Sequence, residues 1–255
     1  MMAYLLARKR VRPSATFSII ALPCSGVPLI TVVEFVASLE AQTYKNWQLC
    51  ICGESDANSE VWNYFEELKK HWGHRLQLTH PPLNGASRNG DCAATRSAMA
   101  LASGDFVVFA KPNDLLHREA LRLMAYCLGE TPNCDFIYSD QDMISDWGVR
   151  VQPLRRPAWS PARPLNRNEV GHLTAFRREL LREFENDPSE EWPERRPEKG
   201  PEKGPKTLNG GRDFDVDLKM MSRVRLAIHL PFILYHVRIK SEELLKRSFA
   251  STSEK

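Results

Sequence analysis

The chain has 255 residues, enough to bury a substantial core in one or two domains. Hydrophobic residues make up 42% and charged residues 26%, as in ordinary globular proteins, and a net charge of +3 with interspersed signs does not favour nucleic-acid binding. No apolar run reaches the roughly 18 residues of a membrane span, and the N-terminus lacks a signal-peptide pattern, so we expect a cytoplasmic protein. The six cysteines show no CxxC pair and no metal-ligand spacing, which predicts small buried side chains in a reducing compartment.

The first half of the chain alternates between short apolar runs and amphipathic stretches. The apolar runs are rich in β-branched and aromatic residues, which is typical of buried strands, and the stretches between them have the 3.6-residue period of helices. In chain order the pattern predicts strand 17–22, helix 28–39, strand 47–52, helix 61–72, strand 75–79, helix 93–102, strand 106–109, helix 116–128 and strand 134–138. This alternation predicts an α/β fold with a mainly parallel sheet flanked by helices.

The strand around 106–109 is the centre of the pattern because polar residues follow it at once. Residues 111–114, Lys-Pro-Asn-Asp, stop the strand and leave polar side chains at its carboxyl end. Ligands bind at that edge of an open α/β sheet. We therefore expect strands 17–22 and 105–110 to be central, with the tips Ser25, Glu54 and Asn113 converging on one edge.

The pattern becomes irregular after Tyr138. The sequence predicts a hairpin around 146–148, a short helix over 177–184, a helix over about 210–221 and an apolar strand over 226–237. Residues 187–206, with the repeat PEKGPEKGPK, are too rich in Pro and charge to pack, so we expect a disordered insert. The expected organisation is an extension over 1–15, one domain over 16–238 and a tail over 239–255.

Seven short motifs occur in order along this domain. They are SIIALP at 18–23, QTYKNW at 42–47, ASGDF at 102–106, IYSDQD at 137–142, RPAWSP at 156–161, DFDVDL at 213–218 and LYHVR at 234–238. Each motif alone is weak, but their order resembles the family-2 glycosyltransferases with the GT-A fold, particularly bacterial enzymes of cell-surface polysaccharide synthesis. The resemblance implies a single GT-A-like domain with an irregular, acceptor-side C-terminal portion.

The resemblance also implies an activity and a site. A hexosyl or deoxyhexosyl group would move from a nucleotide-diphosphate sugar to a saccharide or lipid-linked acceptor, in the cytoplasm or at the inner face of the membrane. Asp213 corresponds to the general base that removes a proton from the acceptor hydroxyl. A divalent cation, Mg²⁺ or Mn²⁺, is implied, with Asn113 and His236 as its candidate ligands. The implied nucleotide-sugar site consists of Pro23, Ser25, Glu54, Arg96, Lys111, Asn113, Asp114, Asp140 and Asp142.

The chain departs from the family pattern at two strand ends. Gly53–Glu54 replaces a pair of acidic residues, and Lys111 and Asn113 replace the acids of a D-x-D motif. Mg²⁺ prefers hard oxygen ligands, whereas a lysine offers none and repels a cation. These departures favour weak or absent metal binding. They leave open whether the protein is an active glycosyltransferase or a catalytically inactive GT-A-like binding or assembly module.

Several candidate residues also have an ordinary structural interpretation. Asp213 is compatible with a carboxylate that stabilises a helix N-terminus. His236 is compatible with a packed residue of an apolar strand, and Arg96 with a surface arginine. Asp140 and Asp142 alternate along an extended segment, so they face one side, either in a solvated turn or in a sugar pocket. A different nucleotide-binding α/β protein is disfavoured because no G-x-G-x-x-G or Walker motif is present.

Overall fold

The computed structural model describes residues 14–22, 27–53, 59–80, 90–160, 171–185 and 221–241. Five helices and nine strands occur within these ranges, and a short 3-10 turn precedes β3. In chain order they are β1 Phe17–Ala21, α1 Leu29–Glu40, β2 Trp47–Cys52, α2 Ser59–Trp72, β3 Leu76–Thr79, α3 Gly90–Ala100, β4 Phe106–Ala110, β5 Leu115–Leu116, α4 Ala120–Glu130, β6 Phe136–Ser145, β7 Arg150–Leu154, β8 Thr174–Arg177, α5 Arg178–Glu185 and β9 Ala227–Ile239.

The strands form one sheet in the order β3-β2-β1-β4-β8-β6-β9-β5, and β7 pairs with β6. β1 is parallel to β2 and β4, β2 is parallel to β3, and β6 is parallel to β9. β8 is antiparallel to both β4 and β6, so β6 and β9 run in the same direction as β1 to β4. The predicted mainly parallel sheet, with β1 and β4 in its interior, is therefore confirmed.

Hydrophobic cores cover both faces of the sheet because side chains alternate along each strand. In β1, Ile19 belongs to the core that packs against α1 and α2, and Ile20 belongs to the core that packs against α3. Cys50, Cys52 and Cys134 are buried, as the sequence predicts, and Cys127 is partly buried. Among the described residues, no helix is both long and apolar enough to cross a membrane.

Gly104 explains one of the sequence motifs in physical terms. It precedes β4 where the chain passes directly beside β1, and its N–H donates to Ser18 Oγ at 2.8 Å. A Cβ at this position would lie 2.8 Å from the carbonyl carbon of Phe17 and 2.9 Å from the nitrogen of Ser18. Both are backbone atoms of the central strand, so only glycine fits without a shift of β1 or β4.

The second half of the sheet differs in detail from the prediction. β6 continues to Ser145 instead of ending at Tyr138, and helix α4 begins at Ala120 because Leu115 and Leu116 form strand β5 against β9. The predicted hairpin around 146–148 is confirmed, since it joins β6 to β7. Strand β8 has no counterpart in the sequence-based prediction. A two-residue strand is too short, and a polar strand extension too polar, to show a periodic pattern of hydrophobic residues in the sequence.

Candidate functional site

The carboxyl ends of β1, β2 and β4 lie level with one another. Ala21 pairs with Ile51 on one side and with Ala110 on the other, so Leu22, Gly53 and Lys111 follow at the same edge. The strands thus converge as expected. The predicted tips Ser25 and Glu54 themselves, together with Pro23, lie outside the described residues, as do the predicted base Asp213 and the insert 187–206.

β6 and β9 extend beyond this edge. Thr174 of β8 pairs with both Phe109 of β4 and Tyr138 of β6, so the residues of β6 after Ser139 lie past Ala110, the last residue of β4. This extension carries the predicted site residues Asp140 and Asp142 beside β9. The edge is therefore bordered on one side by a polar wall of β6 and β9.

The tip of β4 is anchored to β9. The Lys111 N–H donates to the Tyr235 hydroxyl at 2.9 Å, and the Arg238 Nε donates to the Asn113 carbonyl at 2.9 Å. The side chains of Lys111 and Asn113 are half-buried. Within the described ranges, no ion pair joins the Lys111 ammonium to a carboxylate. The strand tip is thus fixed in place and presents a cation.

Asp114 is turned inward from the same tip. It is 1% exposed, and its Oδ1 accepts the Arg238 backbone N–H at 2.8 Å. Burial raises the pKa of Asp114 from 3.8 to about 6, although the Arg238 N–H, the charge of Lys111 and the Tyr235 hydroxyl favour the ionised form. This position gives Asp114 a part in holding the tip of β4 to β9, and its predicted contact with a nucleotide sugar has no direct path in this arrangement.

Asp140 is enclosed by donors. Its Oδ1 accepts the Arg156 backbone N–H at 2.8 Å and lies 2.8 Å from the His229 Nε2, and its Oδ2 accepts a bond from the Arg155 guanidinium at 3.0 Å. Burial alone would raise the pKa of Asp140, but the Arg156 N–H, His229 and Arg155 outweigh it and lower the pKa. Asp140 is therefore ionised at neutral pH.

Asp142 forms a second cluster of this kind. Its Oδ1 lies 2.5 Å from the His236 Nδ1, and its Oδ2 accepts a bond of 2.7 Å from the Arg150 Nε and forms an ion pair with the Nη2 of the same guanidinium at 2.7 Å. Burial lowers the pKa of His236, with Asp142 opposing the shift. The neutral imidazole accordingly carries its proton on Nδ1 and donates it to Asp142. That nitrogen is committed to the carboxylate and is not available as a metal ligand.

The remaining candidates can also be placed. Arg96 is exposed on α3. Among the described residues, no group of three or more His, Cys, Asp or Glu side chains is arranged to hold a metal ion. The expected ligands Asn113 and His236 therefore do not belong to such a group within the described ranges.

Sequence reasoning missed the partners of these carboxylates and a stacked pair of rings. The His172 ring stacks on Tyr235 with a centroid distance of 5.8 Å and an interplanar angle of 11°. The His172 N–H donates to Gln141 Oε1 at 2.8 Å, and Gly171 has the positive φ of 82° that allows this approach. The only sequence signal is the Gly–His pair itself, which is too common to be specific.

No family model matches the chain. The chain is 26% identical over 209 residues to the uncharacterized protein y4gI of Sinorhizobium fredii and 29% identical over 192 residues to the O-antigen biosynthesis protein RfbC of Myxococcus xanthus. These matches cover 81% and 70% of this chain. The chain spans only 21% and 14% of the length of those two proteins.

Solved structures show the same fold. S. aureus TarS 1–349 in complex with UDP matches with a TM-score of 0.62 and 15% identity, over 91% of this chain and 62% of that chain. The mannosyltransferase PcManGT from Pyrobaculum calidifontis in complex with GDP-Man and Mn²⁺ matches with a TM-score of 0.56 and 16% identity, over 92% and 61% of the two chains. The chain therefore has a mixed α/β fold, with a mostly parallel sheet flanked by helices, that is similar to glycosyltransferase structures.

Proposed function

We propose that this chain is a GT-A-type, family-2 glycosyltransferase domain that moves a sugar from a nucleotide-diphosphate donor to a saccharide or lipid-linked acceptor. One observation carries the proposal: β1, β2 and β4 end level at one edge, with Lys111 at the tip of β4, in a fold shared with structures bound to UDP and GDP-Man. The relative named for O-antigen biosynthesis supports a polysaccharide or its lipid-linked precursor as the acceptor. Such an acceptor would be met at the inner face of the membrane.

Each step of the proposed sugar transfer requires a different kind of side chain. The leaving diphosphate gains negative charge as the glycosidic bond breaks, so the edge must supply positive charge or hydrogen-bond donors there. Lys111 and Asn113 at the β4 tip take that part, and Ser25 and Glu54 follow the strands that would hold the nucleoside. Asp213 would remove the proton of the attacking acceptor hydroxyl. Asp140 and Asp142 are 1% and 4% exposed, so they would hold the arginines and histidines of the wall in place beside the sugar.

The second candidate function is a GT-A-like module that binds a nucleotide sugar without transferring it. The observation that favours it is the cationic β4 tip, where Asp114 is turned inward and Lys111 stands in place of an acid. Such a module would keep the donor site and lack turnover. Binding and turnover must therefore be measured separately.

Calorimetry with UDP, GDP and deoxythymidine diphosphate tests the donor site, and release of nucleoside diphosphate from UDP-GlcNAc and GDP-Man tests turnover. We expect one nucleotide to bind and its sugar donor to release diphosphate faster when an oligosaccharide or lipid-linked acceptor is added. Asp213→Asn should keep binding and lose that release. Binding without release from any donor would establish the inactive module, and failure of every nucleotide to bind would refute both functions.

A further inference from the structure

The tip of β4 combines a poor donor set for a metal ion with a fixed positive charge. We propose that this domain binds the diphosphate of its nucleotide sugar without a divalent cation, with the Lys111 ammonium as the counter-charge. The inference rests on the proposed function, since it concerns how the same site holds the donor. It differs from the Mn²⁺-bound state of PcManGT.

The described residues at this edge offer a divalent cation few oxygen ligands. Asp114, the one carboxylate of the tip, is 1% exposed and accepts the Arg238 backbone N–H. The backbone carbonyl of Asn113 accepts a bond from the Arg238 guanidinium, so Asn113 could offer a cation only its side-chain amide oxygen. His236 uses Nδ1 to bind Asp142, whose other oxygen is bound by Arg150, so this pair could offer a cation only the Nε2 nitrogen of His236, a ligand that Mg²⁺ and Mn²⁺ prefer less than oxygen. Mg²⁺ and Mn²⁺ need several hard oxygen ligands around one point, and the described part of the chain supplies no such group.

Lys111, by contrast, is placed as a fixed cation. Its backbone is held by the Tyr235 hydroxyl at 2.9 Å, so the base of the side chain does not move with the loop that follows. Half-burial weakens the screening of its charge by water. Within the described residues the charge of Lys111 acts on the enclosed Asp114, and no ion pair joins its ammonium to a carboxylate.

An ammonium group suits a diphosphate at this position. Lysine is a compact charge on a flexible stem with three donors, and it binds phosphate oxygens directly. It supplies one positive charge where a divalent cation supplies two, which predicts a weaker but metal-independent interaction. Removal of this charge should lower the affinity for a nucleoside diphosphate by about fivefold or more.

The test is calorimetry of the whole chain with the best-binding nucleoside diphosphate, in EDTA and in Mn²⁺. For the unmodified protein we expect dissociation constants within about twofold of each other in the two conditions. Lys111→Met should weaken binding at least about fivefold in EDTA, and Lys111→Arg should retain most of it. Lys69→Met is the matched control, because Lys69 is exposed near the end of α2, at the opposite edge of the sheet. Far-UV circular dichroism and the melting temperature check the fold of each variant.

A double variant tests the same inference by gain of function. Lys111→Asp with Asn113→Asp supplies two acidic ligands, so nucleotide binding by this variant should require Mn²⁺. Tenfold stronger binding in Mn²⁺ by the unmodified protein would overturn the inference and leave the proposed function intact. Full affinity of Lys111→Met in EDTA would overturn it as well. If no nucleotide binds in either condition, the proposed function fails and the inference fails with it.

Discussion

Replacement of Asp114 by Asn should stabilise the fold at neutral pH and change its stability little in acid. Asp114 is enclosed at the tip of β4, where its Oδ1 accepts the Arg238 N–H at 2.8 Å. Asparagine has nearly the shape of the protonated acid, and its amide oxygen can accept the same N–H. The substitution therefore removes the cost of an enclosed negative charge while it keeps the anchor between β4 and β9.

The pKa of Asp114 sets the magnitude and the pH window. Burial raises this pKa from 3.8 to about 6. A rise of this size corresponds to about 3 kcal/mol at roughly 1.4 kcal/mol per unit. Between these two pH values the folded state keeps a proton that the unfolded state has released, so the stability of the unmodified protein falls as the pH rises. The penalty is absent below pH 3.8 and fully present above pH 6.

Urea denaturation at pH 4, 6 and 8 measures this effect. At pH 8 the Asp114→Asn variant should be more stable by up to about 3 kcal/mol, which is a rise in melting temperature of about 2–4 °C per kcal/mol. At pH 4 the two proteins should differ little. The exposed Asp146→Asn is the control and should show no such pH-dependent gain. An equal gain at pH 4 and pH 8, or a loss at pH 8, would refute the argument that burial of the charge dominates.

Two further substitutions test the packing between β1 and β4 and the buried charge of Asp140. Gly104→Ala would place a Cβ 2.8 Å from the Phe17 backbone. The substitution should therefore lower the free energy of unfolding, measured in urea, by about 1–3 kcal/mol. A loss below about 0.5 kcal/mol would show that β1 and β4 can separate to accommodate the methyl group. Asp140→Asn should cost about 1.5–3 kcal/mol at pH 7, because it removes the charge that His229 and Arg155 share. The pKa of Asp140 lies below its ordinary 3.8, so its benefit is present above that pH and is lost as the pH falls through the lowered pKa. The Asp140→Asn deficit should therefore shrink in acid, and a constant deficit from pH 7 to pH 3 would contradict this account.

The first half of the fold was predictable because local pattern decides it. The buried strand β4 is a continuous run of apolar residues over Phe106–Ala110, and β1 and β2 each contain one polar residue, Ser18 and Gln48. The second half depends on partners distant in sequence. The extension of β6 contains Asp140 and Asp142, which look solvated in a sequence and are buried because His229, His236 and two arginines bind their carboxylate oxygens. The two histidines are 89 and 94 residues away and the two arginines 15 and 8, so no local window contains the whole set of partners.

The candidate site also has one part that the sequence predicts and another that it does not. The sequence predicts a cation at the tip of β4, since Lys111 follows a buried strand directly. It does not predict the inward turn of Asp114 or the anchoring of Lys111, because Tyr235 and the Arg238 N–H lie 124 positions away. In consequence, the sequence predicts weak metal binding from Lys111 and Asn113, and the structure adds that the remaining carboxylate, Asp114, is turned inward and 1% exposed.

The charge of Lys111 affects the ionisation of Asp114, so an acidic residue at position 111 would change the stability of the fold. The positive charge of Lys111 lowers the pKa of Asp114 against the larger effect of burial. An aspartate at position 111 would reverse that contribution and add repulsion, so the Lys111→Asp, Asn113→Asp variant should be less stable without a metal than the unmodified protein. Mn²⁺ would bind only the folded variant and should raise its melting temperature with concentration. If the double variant is equally stable with and without Mn²⁺, the acids do not assemble a cation site, and the tip of β4 is shaped for a lysine independently of any metal.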